Sequence, residues 1–123
     1  MDGVYFECTG DGASILITPV TYSNSVLGTG TGTAPNAYSN TLWYKFVIVI
    51  NDTATQANFY IYTNASGPDA FDDLIMEWTI ASNVPTGTGR ETSCGVKAWR
   101  TNSTTTTLMY VDRIDYYNTL PIR

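Results

Sequence analysis

Two neighbouring stretches, Leu42–Ile50 (LWYKFVIVI) and Asn58–Thr63 (NFYIYT), constrain the fold more than any other part of this chain. Successive side chains of a strand point to opposite faces. Leu42, Tyr44, Phe46, Ile48 and Ile50 therefore share one face of the first stretch, and Trp43, Lys45, Val47 and Val49 share the other. Both faces are mostly apolar, which a strand covered on one side only would not need. The pair is expected to form the central hairpin of a β domain. One face suits the core between two packed sheets; the other needs cover from neighbouring strands, another subunit or a ligand.

The rest of the chain repeats the strand-and-turn pattern. Val4–Thr9 is expected as a strand closed by Gly10-Asp11-Gly12, and Ala13–Thr18 as a second that continues through Pro19 to Tyr22. Pro19 has no N–H for a ladder, so it marks an edge or a bend. Ser23–Asn40, with Gly28, Gly30 and Gly32 alternating with threonine, reads as a long flexible loop with room for a short strand at Val26–Thr29. It lacks the lysine of a phosphate-binding loop. Asn51–Gln56 is the turn of the central hairpin, and Ala70–Asp73 a single helical turn. Asp73–Ala81 puts Leu74, Met76, Trp78 and Ile80 on one face. Glu91–Arg100 and Thr107–Tyr117 complete the set of strands. Seven or eight strands with Gly-rich turns predict an all-β, antiparallel β-sandwich of jelly-roll topology, one domain over residues 1–123. An immunoglobulin-like sandwich is the alternative, but Cys8 lies on the first strand and the Cys, Trp, Cys order fails.

Composition removes several functions. There is no histidine, which excludes His-based triads, His-metal sites and imidazole bases. Charged residues make up 14% of the chain against roughly 25% in typical soluble domains, so the surface is neutral and polar. That suits a virion component, another extracellular assembly or a module binding neutral sugars. A net charge of −5, with its six Lys and Arg dispersed, argues against nucleic acid as a partner. No apolar run approaches the about 18 residues of a membrane helix. The start, Met1-Asp2-Gly3 running directly into a strand, is expected to carry no signal peptide. Cys8 and Cys94 are read as buried free thiols, with one long-range bridge as the alternative.

The carboxylates Asp69, Asp72, Asp73 and Glu77 cluster in sequence without an EF-hand pattern. A capped turn with a solvated acidic loop is the first reading, calcium the second and a glycosidase pair the third. Asp112 and Asp115 fall on opposite faces of one strand and make no dyad; ion pairs with Arg90, Arg100 or Arg113 account for them. No catalytic set, metal or cofactor is expected. Three Asn-x-Ser/Thr matches, at Asn51, Asn64 and Asn102, are what a Thr- and Asn-rich chain produces by chance. Aromatics carry the functional signal, because nine Tyr and three Trp exceed what a core needs, and exposed rings stack on sugar faces. Trp43, Trp78 and Trp99 sit in strand patterns and read as core; Tyr22, Tyr38, Tyr44, Tyr116 and Tyr117 read as exposed. The expected ligand-binding residues are Tyr38, Tyr44, Tyr116, Tyr117 and Asp72.

From Asn83 onward the order of features is Asn83-Val84-Pro85, GTGRE around Arg90, a strand containing Val96–Trp99, and the closing VDRIDYYNTLPIR. This order resembles the concanavalin-like jelly-roll domains of bacteriophage tail fibres, tail spikes and related virion appendages. The resemblance covers Leu42–Arg123 and implies a homotrimeric virion module, and the lack of histidine and of a carboxylate pair leads to the expectation that it is non-enzymatic. Such a module attaches to host-surface glycans or nucleates a fibre trimer. The alternative function is a stand-alone carbohydrate-binding module of a secreted glycan-active enzyme.

Overall fold

A computed structural model describes residues 3–10, 15–32, 42–64, 70–86 and 114–115. Among these residues there is no helix, and every paired strand is antiparallel to its neighbour. The strands are β1 (Gly3–Gly10), β2 (Ile15–Ser23), β3 (Val26–Leu27), β4 (Gly30–Gly32), β5 (Tyr44–Ile50), β6 (Ala57–Thr63) and β7 (Asp73–Ile80). They form two sheets, ordered β1-β2-β3 and β4-β7-β6-β5, and the protein is an antiparallel β-sandwich. The chain divides into two units, Met1–Thr88 and Gly89–Arg123. All seven strands belong to the first. Of the second, Ile114 and Asp115 are described, and both are exposed. The strands expected at Glu91–Arg100 and Thr107–Tyr117 lie outside the described residues, apart from that pair.

Alternation builds the core. Along β6, Ala57, Phe59, Ile61 and Thr63 are buried while Asn58, Tyr60 and Tyr62 between them are half-buried. Phe59 and Ile61 join Ile17, Met76, Ile80 and Val84 in one apolar cluster, with Val4, Phe6, Tyr44, Ile75 and Trp78 leaning on it. Phe6 of β1 meets both Phe59 and Phe46 edge-to-face, each at 5.2 Å between centroids, so one ring ties the two sheets together.

The central hairpin forms as expected, with a register that runs from Tyr44 opposite Thr63 to Ile50 opposite Ala57. Its place in the sheet differs from expectation. β6 is the inner strand, paired on both sides, while β5 is an edge strand of the four-stranded sheet. Phe46, Ile48 and Ile50 on one face and Val49 on the other are therefore 37–47% exposed, although Phe46 keeps its edge-to-face contact with Phe6. Trp43, expected in the core, stands before this edge and is 50% exposed.

Of the loop expected over Ser23–Asn40, residues 23–32 are described and hold β3 and β4. Asn24 and Ser25 both take positive φ, the conformation a two-residue hairpin turn of the primed type needs, and reverse β2 into β3. The chain then leaves the first sheet at Gly28 and enters the second as β4, with Gly30 opposite Ile80 and Gly32 opposite Trp78. A Cβ on Gly30 would overlap the Thr79 carbonyl oxygen and stand 2.6 Å from Trp78 Nε1, so the glycine sets how closely β4 approaches β7. Among the described residues Pro19 sits where β2 is paired by β1 alone, since β3 reaches only Tyr22 and Ser23. Residues 33–41 and the turn at 11–14 lie outside the described residues.

Two smaller corrections follow from local chemistry. Asp73 opens β7 directly and no helical turn spans 70–72. A bulge between Ile61 and Tyr62 pairs Met76 with Ile61 but Leu74 with Tyr62, leaving Ile75 as the extra residue. Leu74 thus turns outward, 46% exposed, and Ile75 packs on the core instead.

The β5–β6 turn is held by Asn51. Its Oδ1 accepts from the backbone N–H of Thr55 at 2.8 Å and of Gln56 at 2.9 Å, while its Nδ2 donates to the hydroxyls of Thr53 and Thr55. Ala54, at φ 52°, takes the left-handed conformation that closes the turn. Asn51→Ala is expected to lower stability by about 1–2 kcal/mol, because two backbone donors lose their acceptor. Asn51→Asp keeps that acceptor and is expected to lose less. Urea denaturation of the three proteins checks the order.

Candidate functional site

The outer face of the four-stranded sheet collects the side chains that point away from the core. Cross-strand register sets them in rows. Lys45, Tyr62 and Leu74 lie side by side, then Val47, Tyr60 and Glu77, then Val49, Asn58 and Thr79. The centre of this face is aromatic. Tyr60 and Tyr62, two residues apart on β6, have ring centroids 6.4 Å apart with planes inclined by 28°. Lys45 Nζ lies 5.7 Å from the Tyr62 ring centroid, within the range of a cation–π contact. Polar groups rim the rings. Asn58 Oδ1 accepts from Gln56 Nε2 at 2.9 Å and from Thr79 Oγ1 at 3.0 Å, which fixes the amide and leaves its Nδ2 as the donor side. Glu77 is exposed opposite Tyr60. Aromatic surface with donors and acceptors of both signs around it is the chemistry that holds a polyhydroxylated ring.

Of the ligand-binding residues expected from sequence, Tyr44 and Asp72 are described. Tyr44 is half-buried and leans on the core, because it shares the inward face with Phe46. Asp72 is exposed in the segment before β7. Tyr38, Tyr116 and Tyr117 lie outside the described residues, as do Asp69, Asp112, Cys94 and Trp99. The structure does not bring Tyr44 and Asp72 into the aromatic face. Tyr22, expected to be exposed, is half-buried on β2. Tyr60 and Tyr62 were not among the expected site residues, although their signal was present: in NFYIYT they alternate with Phe59 and Ile61, so if those fill the core the tyrosines face outward.

Among the described residues no group of three or more carboxylate or thiol side chains is placed to hold a metal ion. The acidic run is dispersed by the strand: Asp73 pairs with Thr63 at the start of β7, and Glu77 projects from its outer face.

A second concavity, of about 300 Å³, lies between β2, the Leu27–Gly30 crossing and β7. The crossing is pinned by residues after β7. Thr21 Oγ1 donates to the Ser82 carbonyl at 2.8 Å, the Thr29 N–H to Ser82 Oγ at 3.2 Å, and Asn83 Nδ2 to the Leu27 carbonyl at 3.0 Å. Glu7 lines the cleft from β1 and also acts on its own strand. Cys8 is a free, exposed residue, not the buried thiol expected. Even so, local burial, and after it the Glu7 carboxylate, pushes its thiol up from the usual range. Tyr5 is raised for the same two reasons, with Tyr22 adding. Both groups favour the protonated form in the folded chain, so their contribution to stability is complete below the unfolded pKa and is lost as pH rises through the folded one. In a Cys94→Ser background, alkylation of Cys8 is expected to reach half its maximal rate at higher pH than in the unfolded chain. Glu7→Gln moves that midpoint part of the way back, and a midpoint equal to that of the unfolded chain contradicts the placement.

The chain belongs to the SO2946-like C-terminal domain family, whose model matches residues 1–112. No curated protein and no solved structure matches it significantly.

Proposed function

We propose that this member of the family is a non-enzymatic glycan-adhesion module, carried by a virion appendage of the tail-fibre or tail-spike kind and working as a homotrimer. The observation that carries the reading is the paired Tyr60 and Tyr62 on a sheet face away from the core, rimmed by Lys45, Asn58, Glu77 and Thr79. The exposed apolar edge of β5 supports the oligomeric part, since subunits of a fibre bury such strands against one another. In that setting the jelly-roll connectivity and the resemblance to concanavalin-like appendage domains describe one architecture, and the family's description as a C-terminal domain agrees with a module at the end of a longer chain. Each site binds weakly, and three sites on one fibre supply avidity.

The test is a glycan array probed with the multivalent protein, followed by titration of the best oligosaccharide into the wild type and the Tyr60→Ala and Tyr62→Ala variants. Each truncation is expected to weaken binding about tenfold, equivalent to ~1.4 kcal/mol. Binding that survives both substitutions places the site elsewhere, and an array with no wild-type signal removes the adhesion reading. Light scattering across a dilution series tests the assembly: a strict monomer that binds sugar is instead a stand-alone carbohydrate-binding module.

A further inference from the structure

The cleft at the β4 crossing is separate from the aromatic face, and its chemistry points to a different ligand. Its walls are apolar: Val20 and Ile80 are buried side chains, Leu27 stands at the rim, and Trp78 supplies an indole that is itself half-buried. Among the described residues of the lining the one ionisable group is Glu7, half-buried on β1. At about 300 Å³ the space is at the lower end of small-molecule sites, so it suits a ligand of few heavy atoms.

Charge decides among ligand classes. An anion would meet the Glu7 carboxylate at close range in a chain of net charge −5. A neutral apolar molecule would strip water from that carboxylate and return no partner. A cation with an apolar body satisfies both parts of the lining, because its charge is complementary to Glu7, its head is attracted to the indole face, and its carbon atoms cover the aliphatic wall. The overall negative charge also raises the local concentration of cations. We propose that this cleft takes a small alkylammonium ligand, its head against Glu7 and Trp78 and its carbon stem on Val20, Leu27 and Ile80.

Choline and its uncharged isostere 3,3-dimethylbutan-1-ol separate the charge from the shape. In a titration followed by amide and indole N–H resonances, choline is expected to shift Trp78 and Gly30 saturably and to bind at least tenfold more tightly than the alcohol. Glu7→Gln, which keeps the size of the side chain, is expected to reduce choline to the level of the alcohol. Leu27→Lys, at a position 56% exposed and so tolerant of substitution, places the protein's own ammonium in the cleft and is expected to abolish the choline shifts while the remaining spectrum is unchanged. Equal binding of choline and the alcohol overturns the proposal, as does unaltered choline binding in Glu7→Gln or the absence of saturable shifts with choline. Because the probe carries no sugar, these outcomes are independent of the glycan titration.

Discussion

Gly28→Ala is expected to destabilise the domain by about 3 kcal/mol or more, a loss beyond that of most single substitutions. Gly28 is buried where the chain passes from one sheet to the other, and its N–H donates to the Thr21 carbonyl at 2.8 Å. A Cβ there would overlap Thr21 Oγ1, approach the Ser82 carbonyl oxygen to 2.5 Å and Ile80 Cγ2 to 3.0 Å. None of these neighbours yields easily. Thr21 is fully buried and its hydroxyl is bonded to Ser82, while the Ser82 carbonyl is backbone. The added methyl must displace the crossing itself, and with it the pairing of β4 to β7. The measurement is guanidinium denaturation of Gly28→Ala beside Thr29→Ala, an exposed neighbour expected to stay within about 0.5 kcal/mol of wild type. Adding Thr21→Ala to Gly28→Ala removes one of the overlapping atoms, so the double variant is expected to be less unstable than the two single losses summed. Full additivity, or a Gly28→Ala loss below about 1 kcal/mol, contradicts this account of the glycine.

The same segment shows where sequence reading stops. The alternating glycines of GTGTGT look like low complexity, since composition does not distinguish a flexible run from one in which each missing Cβ makes room for a neighbouring strand. That neighbour, β7, is some 50 residues away in sequence. The hairpin of β5 and β6 was legible because it rests on local alternation and one turn. The position of β5 at an edge was not, because strand order is a property of pairing partners and the strand's own pattern is apolar on both faces. Period two likewise predicted Leu74 as core, and the bulge that exchanges it with Ile75 has no signature within DLIMEW. Of the face proposed as the candidate site, the alternation of Tyr60 and Tyr62 with Phe59 and Ile61 is present in NFYIYT, and the neighbouring strands that complete the face are not. Tyr60 and Tyr62 sit on a core strand, and every second residue of such a strand faces away from the core.

Phe59 and Tyr60 turn that last point into an experiment, since adjacent aromatic residues on one strand are expected to behave oppositely. Phe59 is fully buried, opposite Ile48 and Trp78 in register and in edge-to-face contact with Phe6 at 5.2 Å. Phe59→Ala removes a ring at the junction of the two sheets and is expected to cost about 3–5 kcal/mol, through lost transfer energy and the cavity left behind. Tyr60 faces outward, half-buried, with one side against Tyr62. Tyr60→Ala is expected to cost about 1 kcal/mol or less in stability, the value of an exposed aromatic contact, while weakening glycan binding about tenfold. Phe59→Leu, which restores most of the volume, is expected to recover much of the stability lost in Phe59→Ala and to bind glycan as the wild type does. The decisive measurement is stability and glycan affinity on all three variants. Loss of both properties together in Tyr60→Ala would make its ring a structural element and would remove the aromatic face as a binding surface. Separation of the two, with stability following Phe59 and affinity following Tyr60, assigns the two faces of β6 to folding and to recognition.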